Sequence, residues 1–299
     1  MKLKHIVVAT DFSPISRRAV EAGLALAAKA GAKLTIAHIL PSVVPIYAAL
    51  PTQISKDLSA KQDAVKRTLH ARLERLIEEA GKAGVRATAL FETGDPVARI
   101  LHLAAAKRAD LIVVATHGRG AAAHLLLGSV AEKIVRQAPC SVLVVKKGKW
   151  RAKGRALIAL DRSAVTPRVL KGAAQLAEQI GARLSVVHVI NDTRQVADAL
   201  ASSHPGNILD AITKLGIERA RKGIGETLSE AGVRVKPADI LIREGRPQDV
   251  IERESAKGVM LTIVGTHSRK GASRLFLGSV AEAVVRSARS PVLVLKGLH

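Results

Sequence analysis

Short apolar stretches alternate with longer amphipathic stretches along the whole chain. The apolar stretches are rich in Val, Ile and Leu, a composition typical of strands buried on both faces. In the first half they predict five strands, at residues 4–10, 33–40, 85–91, 111–115 and 141–146. The amphipathic stretches predict helices at residues 14–30, 55–80 and 96–107, and a fourth that begins at Ser129. Strands that alternate with helices favour a parallel sheet with right-handed crossovers and helices on both faces.

The second half of the chain repeats the order of the first. Its predicted strands are residues 156–160, 184–190, 233–242, 259–265 and 292–296, and a polar region predicts a helix at 207–231. The repeat is clearest between residues 111–138 and residues 261–288, which are identical at 16 of 28 positions without a gap. The fold class that we expect is therefore α/β, with two tandem Rossmann-like, doubly wound domains. Each domain has a five-stranded parallel sheet flanked by helices.

A basic stretch lies between the two halves. Six of the ten residues from 146 to 155 are Lys or Arg, and no apolar period runs through them, so we expect a linker. The predicted division is a first domain at residues 1–148, a linker at 149–155 and a second domain at 156–299. We expect Trp150 to hold the linker against one domain.

The sequence Gly-Ser-Val-Ala-Glu follows the fourth strand of each half, at residues 128–132 and 278–282. Its Ser-x-x-Glu spacing is that of a capping box, so we predict Ser129 and Ser279 as helix N-caps. A glycine at a helix start lets a ligand approach the backbone, and the free N–H groups and the helix dipole favour an anion. The pattern indicates a phosphate site, although an ordinary capped helix after a turn has the same pattern.

The composition limits the function classes. Aromatic residues make up 2% of the chain, so the core must be aliphatic, and there is no aromatic surface for stacking bases. The net charge of +22 is spread over both halves and favours weak, salt-dependent contacts with polyanions, without indicating a specific nucleic acid partner. No apolar stretch approaches the roughly 20 residues of a membrane span, and the single cysteine, Cys140, is compatible with a reducing compartment. We therefore expect a cytoplasmic protein that does not span a membrane.

One aspartate follows the first strand of each half. Asp11 and Asp161 come at the carboxyl ends of strands, where open α/β sheets bind ligands. If the first and fourth strands are neighbours, each carboxylate faces the glycine loop across one crevice. The aspartates could then bond a ribose or a base, or reach a metal ion on a phosphate. The alternative is a local role, in which each carboxylate accepts bonds from free N–H groups at the start of a helix.

The chain resembles a tandem universal stress protein along almost its whole length. The resemblance rests on VVATDFSP near the start, GSVAEKIVRQAPCSVLVV in the first half and GSVAEAVVRSARSPVLVL in the second. The nucleotide-binding branch of that family has Gly-x-x-Gly, nine residues and then Gly-Ser or Gly-Thr. Here Ala115 replaces the first glycine in the first half, and Ser268 replaces the second in the other half. A methyl group at a strand end costs little, whereas a side chain inside the loop disfavours phosphate approach, so we expect the first half to keep the better site.

The resemblance implies adenine nucleotide binding. The loop and the Gly-Ser would hold a triphosphate, and the early aspartate would lie near ribose and base. The backbone at the end of the second strand, at Ile39 and Val189, would face adenine. The implied nucleotide-binding residues of the first half are Thr10, Asp11, Ile39, Ala115, Thr116, Gly118, Arg119, Gly128, Ser129 and Val130. Those of the second half are Asp161, Val189, Gly265, Thr266, Arg269, Gly278, Ser279 and Val280. The expected cofactor is ATP, alone or with Mg²⁺.

Several polar residues have weaker assignments. His117 and His267 in the loops could donate to a phosphate or lie on the surface, and His38 and His188 are predicted as packed side chains. Arg246 stands where the first half has an acidic residue and would alter the rim of the second site.

We expect an ATP-binding stress-response protein that uses nucleotide to bias conformation or assembly. The alternatives are a slow ATPase, although the chain lacks Gly-x-x-x-x-Gly-Lys-Ser/Thr, and a nucleotide-independent module for an acidic partner. The resemblance also implies pairing of the last strands, residues 142–145 and 292–295, across a pseudo-twofold axis, and it leaves a homodimer open.

Overall fold

The computed structural model of the chain describes residues 1–42, 52–116, 127–146, 150–151, 153–161, 166–190, 207–266 and 277–296. The first half contains the strands β1 (His5–Ala9), β2 (Lys33–Leu40), β3 (Ala87–Thr93), β4 (Leu111–Ala115) and β5 (Ser141–Val145). Its helices are α1 (Pro14–Ala30), α2 (Thr52–Lys82), α3 (Pro96–Ala106) and α4 (Ser129–Gln137).

The second half repeats this order. Its strands are β6 (Arg155–Leu160), β7 (Arg183–Ile190), β8 (Ile240–Glu244), β9 (Val259–Gly265) and β10 (Val292–Leu295). Its helices are α5 (Thr166–Gln179), α6 (Asn207–Ala231), α7 (Pro247–Ser255) and α8 (Ser279–Ser287). The looser segment predicted at 191–206 lies outside the described residues.

The ten strands of the described residues form one sheet, in the order β3-β2-β1-β4-β5-β10-β9-β6-β7-β8. The five strands of each half run parallel, and β5 pairs with β10 antiparallel, with Leu143 opposite Leu293. Because these two leucines are 150 residues apart in the sequence, the pseudo-twofold axis of the repeat passes through their pair. The structure confirms the α/β class and the doubly wound order of each half. The strand order reverses between β1 and β4 and between β6 and β9.

Two apolar layers cover the sheet. One lies under α1, α2, α5 and α6, and the other under α3, α4, α7 and α8. Both consist almost wholly of Ala, Val, Leu and Ile, as the composition predicts. Trp150 is half-buried against the first of these layers, which includes residues of both halves. In the described parts of the chain, no helix combines the length and apolar character that a membrane span needs.

The strand β8 at one edge of the sheet differs from the prediction. It begins at Ile240 and not at residue 233, because a short 3₁₀ turn, Pro237–Asp239, precedes it. Pro237 has no N–H to donate to a neighbouring strand. In the same turn, the carboxylate of Asp239 forms an ion pair with Arg183 at 3.3 Å. The corresponding edge strand β3 is also displaced from the predicted bounds, by two residues. Helix α2 begins three residues earlier than predicted.

A second set of contacts joins the halves away from β5 and β10. Gln179 in α5 bonds the backbone of Leu3, accepting from its N–H at 3.0 Å and donating to its carbonyl at 3.2 Å. The ammonium of Lys29 donates to the carbonyl of Ile180 at 2.7 Å. The end of α1 and the end of α5 therefore meet.

Candidate functional site

A hydrogen-bonded turn connects β1 to α1. The carboxylate of Asp11 accepts a bond from the N–H of Ser13 at 3.0 Å, and Ser13 caps α1 by accepting from the N–H of Ser16. This is the local role that the sequence left as the alternative for Asp11. Asp11 is nevertheless partly exposed at the carboxyl end of β1. Helix α1 begins at Pro14, as predicted.

Thr10 is the centre of this turn. Its hydroxyl accepts from the N–H of Phe12 at 3.1 Å and lies 3.1 Å from the hydroxyl of Ser16, a contact that sequence reasoning missed. Its carbonyl accepts a bond from Nδ1 of His38 at 2.8 Å. The carbonyl of Leu160 accepts the same bond from His188 at 2.8 Å in the second half. His38 is buried and His188 is partly buried, and each holds the turn after a neighbouring strand.

The end of β4 is held close to the start of α4. The N–H of Gly128 donates to the carbonyl of Thr116 at 2.6 Å, and the N–H of Thr116 donates to Val145 at 3.0 Å. Because β1 and β4 are neighbours, Asp11 and the start of α4 belong to the same edge of the sheet. This is the arrangement on which the predicted crevice depends.

The predicted capping boxes are wrong. Gly128 is the N-cap of α4, with φ −62° and ψ 147°, and Ser129 is the first residue inside the helix. The first helical bond runs from the N–H of Glu132 to the carbonyl of Gly128, so the cap falls on a residue with no side chain. In the second half Gly278 is the N-cap and Ser279 begins α8 in the same way. Glu132 and Glu282 form ion pairs with arginines instead of bonds to the cap.

This correction changes the chemistry of the helix starts. The first N–H groups of a helix have no intrahelical partner, and among the described residues no side chain caps those of α4 or α8. The positive end of the helix dipole adds to these donors, so an anion is favoured here. The side chain of Val130 is 37% exposed at this end of the helix. The start of α4 is thus an open group of backbone donors beside the carboxyl end of β1.

Comparison with known proteins finds similarity over almost all of the chain. The profile of the universal stress protein family matches residues 2–146 and again residues 154–296. The chain belongs to the universal stress protein family. A universal stress protein of Mycobacterium tuberculosis is 28% identical over 305 residues, which cover 98% of this chain and 97% of the relative. One from Thermus aquaticus is 37% identical over 145 residues, 48% of this chain and 98% of that relative.

A solved structure supports the fold. The crystal structure of a universal stress protein from Pseudomonas aeruginosa superposes with a TM-score of 0.68 at 20% identity. It covers 98% of this chain and 93% of the other. The similarity of fold therefore extends over both halves of this chain.

The structure of this universal stress protein places the remaining predicted residues in three groups. Ile39 is buried on the face of the sheet that α4 covers, and Val189 packs against the same apolar layer in the second half. Asp161 accepts a bond from the hydroxyl of Thr166 at 2.8 Å, near the start of α5. The loop residues Gly118, Arg119 and Arg269, together with His117, His267 and Ser268, lie outside the described residues.

Arg246 and its counterpart in the first half act differently at the start of a helix. In the first half Asp95 caps α3 by accepting from the N–H of Ala98 at 2.7 Å. Arg246 is the N-cap of α7 but makes no capping bond with its side chain, which lies 3.8 Å from Asp249. It lines a cavity of about 690 Å³ that also involves Gly245 and Arg289. The second half thus has a cation where the first half has a carboxylate.

The two halves differ in how strand and helix pack at the position of the first glycine of the motif. A Cβ atom on Gly265 would lie 3.1 and 3.2 Å from the methyl groups of Val169. In the first half the residues 150 positions earlier are Ala115 and Ala19. In the second half the strand has the small residue, Gly265, and the helix has Val169. In the first half the helix has the smaller Ala19, which explains why the strand tolerates Ala115.

We expect the Gly265→Ala variant to be less stable by about 1 kcal/mol, because its methyl group would displace Val169. Adding Val169→Ala should remove the effect of the first substitution, since the pair would then match Ala19 and Ala115. Urea unfolding of the two single variants and the double variant measures the coupling free energy. Strictly additive effects would contradict this explanation.

Proposed function

We propose that this universal stress protein binds an adenine nucleotide, with ATP as the expected ligand, at the carboxyl ends of β1 and β4. The observation that carries the proposal is the start of α4. Its backbone N–H groups have no capping side chain among the described residues, and the bond from Gly128 to Thr116 holds them at the switch point of the sheet. Backbone donors at a helix start suit a phosphate group.

The proposed roles follow the geometry. The N–H groups of Ser129 and Val130 would hold phosphate oxygens, while Gly128 would leave room for their approach. Asp11 would bond ribose or base, since a carboxylate accepts several hydrogen bonds. The backbone at Ile39, near the end of β2, would face the adenine. The roles of Gly118 and Arg119, in the loop, remain part of the proposal.

A second site is proposed at the start of α8, with Gly278, Ser279 and Val280 in the corresponding positions. Asp161, Val189, Gly265, Thr266 and Arg269 would complete it. We favour the first half, because Ser268 stands where the motif of the nucleotide-binding branch has a glycine. Among the described residues no group of three or more His, Cys, Asp or Glu side chains could hold a metal ion. Mg²⁺ would therefore be held mainly by the phosphates, with one carboxylate such as Asp11.

The cellular role that we propose is a cytoplasmic stress response in which nucleotide biases conformation or assembly. The proposed domains are residues 1–148 and 156–299, with 149–155 as the linker. The antiparallel pairing of β5 with β10 brings the two halves together within one chain. The edge strands β3 and β8 end the ten-stranded sheet, and a homodimer of the whole chain remains part of the proposal.

Calorimetry with matched valine variants tests nucleotide binding. We expect Gly128→Val to weaken ATP binding to the first site at least about tenfold, because a branched side chain would crowd the phosphates. Gly278→Val should act only on the second site. Both glycines have ordinary φ values, −62° and −60°, so valine strains neither backbone and both variants should fold.

The unmodified protein and the thermal unfolding of each variant are the controls. Absence of binding to the unmodified protein, or the same affinity in both variants and the parent, would overturn the proposal. Mass spectrometry of the molecule released on denaturation would identify a nucleotide that copurifies with the protein.

A further inference from the structure

The helices that carry the two proposed phosphate sites are joined across the pseudo-twofold axis. Four side chains form what we call the interface cluster: Glu132 and Arg136 of α4, and Glu282 and Arg286 of α8. Arg136 pairs with Glu282 at 2.9 Å, and Arg286 pairs with Glu132 at 3.6 Å. Each arginine also pairs with the glutamate of its own helix, at 3.2 Å in α4 and 2.9 Å in α8. Two ion pairs of the cluster therefore link the helices, and two more hold the same side chains within each helix.

The residue that follows the last strand of each half reaches across the same axis. Lys296, after β10, donates from Nζ to the carbonyl of Arg136 at 2.9 Å and to that of Ala138 at 2.8 Å. These carbonyls lie at the C-terminal end of α4, in the other half. Lys146, after β5, donates to the carbonyl of Arg286 at 2.9 Å, at the end of α8. The two lysines are 150 residues apart, so the repeat makes the contact twice in opposite directions.

Each lysine satisfies groups that a helix cannot satisfy itself. The last carbonyls of a helix have no intrahelical donor, and they form the negative end of its dipole, so an ammonium group stabilises them. Burial lowers the pKa of Lys296 and of Lys146 to about 8, because it removes part of the water around each ammonium group. Burial also raises the pKa of the neighbouring Cys140 to about 12, so its thiol is neutral beside Lys296. The carbonyls of α4 are therefore the main polar partners of Lys296.

A helix as short as α4 depends on such contacts for its position. It has nine residues and is about 13 Å long, and helices of this length are not stable alone. Its buried face consists of Ala131, Ile134 and Val135, while its N-terminus has no side-chain cap. A contact that fixes its C-terminal end therefore also fixes the backbone donors at its start.

We propose that Lys296 and Lys146 are positioning residues, each of which orients the phosphate-binding helix of the opposite half. Lys296 supports the first site and Lys146 supports the second. This inference rests on the proposed function, since it concerns the affinity of the same two sites. It predicts a crossed dependence that loss of overall stability does not produce, because a general loss would affect both helices together.

Hydrogen exchange without nucleotide tests the positioning of the helices. Lys296→Met and Lys146→Met are matched by the repeat, and methionine keeps much of the length of the side chain. We expect Lys296→Met to accelerate amide exchange in α4 several-fold more than in α8, and Lys146→Met to do the reverse. The effect of Lys296→Met should be the larger, because Lys296 bonds two carbonyls and Lys146 bonds one.

Calorimetry with ATP in a Gly278→Val background then reports the first site alone. Lys296→Met should weaken binding there about fivefold, the factor that corresponds to about 1 kcal/mol, and Lys146→Met should change it less than about twofold. Equal acceleration of exchange in both helices by either variant, or unchanged ATP affinity with Lys296→Met, would overturn the inference. The unmodified protein could fail to bind ATP while the two lysine variants still show the crossed pattern of amide exchange. That result would contradict the proposed function and still support the positioning of the helices.

Discussion

We expect the Gly23→Ala variant to lower the free energy of unfolding by about 1–3 kcal/mol. Gly23 lies in the middle of α1, where the helix packs closely on β1. A Cβ atom there would lie 2.3 Å from Cγ2 of Val8, which is fully buried. The branched side chain of Val8 is stiff about its first torsion, so the helix or the strand would have to move. This cost exceeds the gain of about 1 kcal/mol that alanine has over glycine in a helix.

A double-mutant cycle with Val8→Ala isolates this contact. The second substitution opens space for the new methyl group, so the two effects should couple by about 0.5–3 kcal/mol. Gly81→Ala in α2 is the matched control, because nothing lies within 4 Å of a Cβ atom there, and it should raise stability by up to about 1 kcal/mol. Urea unfolding of the unmodified protein, the three variants of the cycle and the Gly81→Ala variant measures these differences. A Gly23→Ala variant as stable as the Gly81→Ala variant would contradict the packing argument.

The central strands could be predicted from the sequence because their burial is uniform. In β4 and β9 the first four residues, at least, are buried on both faces, so a continuous apolar stretch marks their bounds without ambiguity. The edge strands β3 and β8 have mixed burial patterns, and their bounds depend on turns that the pattern does not reveal. The repeat helped for the same reason: the 150-residue offset aligns strands whose contacts are alike in both halves.

The candidate site could be predicted only in part. The spacing of Ser129 and Glu132 fits a capping box, but the helix begins at Ser129, and Glu132 binds Arg136 and Arg286. The partners of Glu132 are arginines from two helices, α4 and α8, and the pairing of β5 with β10 brings these helices together. The exchange of small residues between Gly265 and Val169 depends likewise on a contact between a strand and a helix. The offset of the repeat, applied to helix residues as well as to strands, was the signal that could have found both.

The buried carboxylate of Glu254 is the second position where we expect a large effect. Its side chain is 6% exposed and accepts from Lys257 at 2.9 Å and from Arg243 at 3.2 Å. Burial by itself would raise the pKa of Glu254. The hydrogen bonds and charges of Lys257 and Arg243 outweigh burial, so the pKa lies below its usual value of 4.5.

Replacing both cations, in Arg243→Met/Lys257→Met, should destabilise the protein at neutral pH by about 3–5 kcal/mol, because a buried charge is left without compensation. A further Glu254→Met substitution removes that charge and should restore most of the stability. Arg246→Met is the control for an exposed pair, since Arg246 is 75% exposed, and its effect should stay within about 0.5 kcal/mol. Chemical unfolding at pH 7 measures the three variants and the unmodified protein. A triple variant as unstable as the double variant would show that Glu254 is not the source of the effect.

In the Arg243→Met/Lys257→Met double variant, the contribution of Glu254 to the pH dependence of stability should have the opposite sign to its contribution in the unmodified protein. With a folded pKa below 4.5, the ionised Glu254 contributes stability that is fully present above pH 4.5 and is lost as the pH falls through the folded pKa. Without the two cations, burial raises the folded pKa above 4.5, so the folded state binds the proton more tightly than the unfolded state does. The stability of the double variant, relative to the triple variant at the same pH, should then increase as the pH falls from 7 towards 4.5. Parallel pH profiles of the double and triple variants would mean that the carboxylate is solvated once its partners are gone, contrary to its burial in the structure.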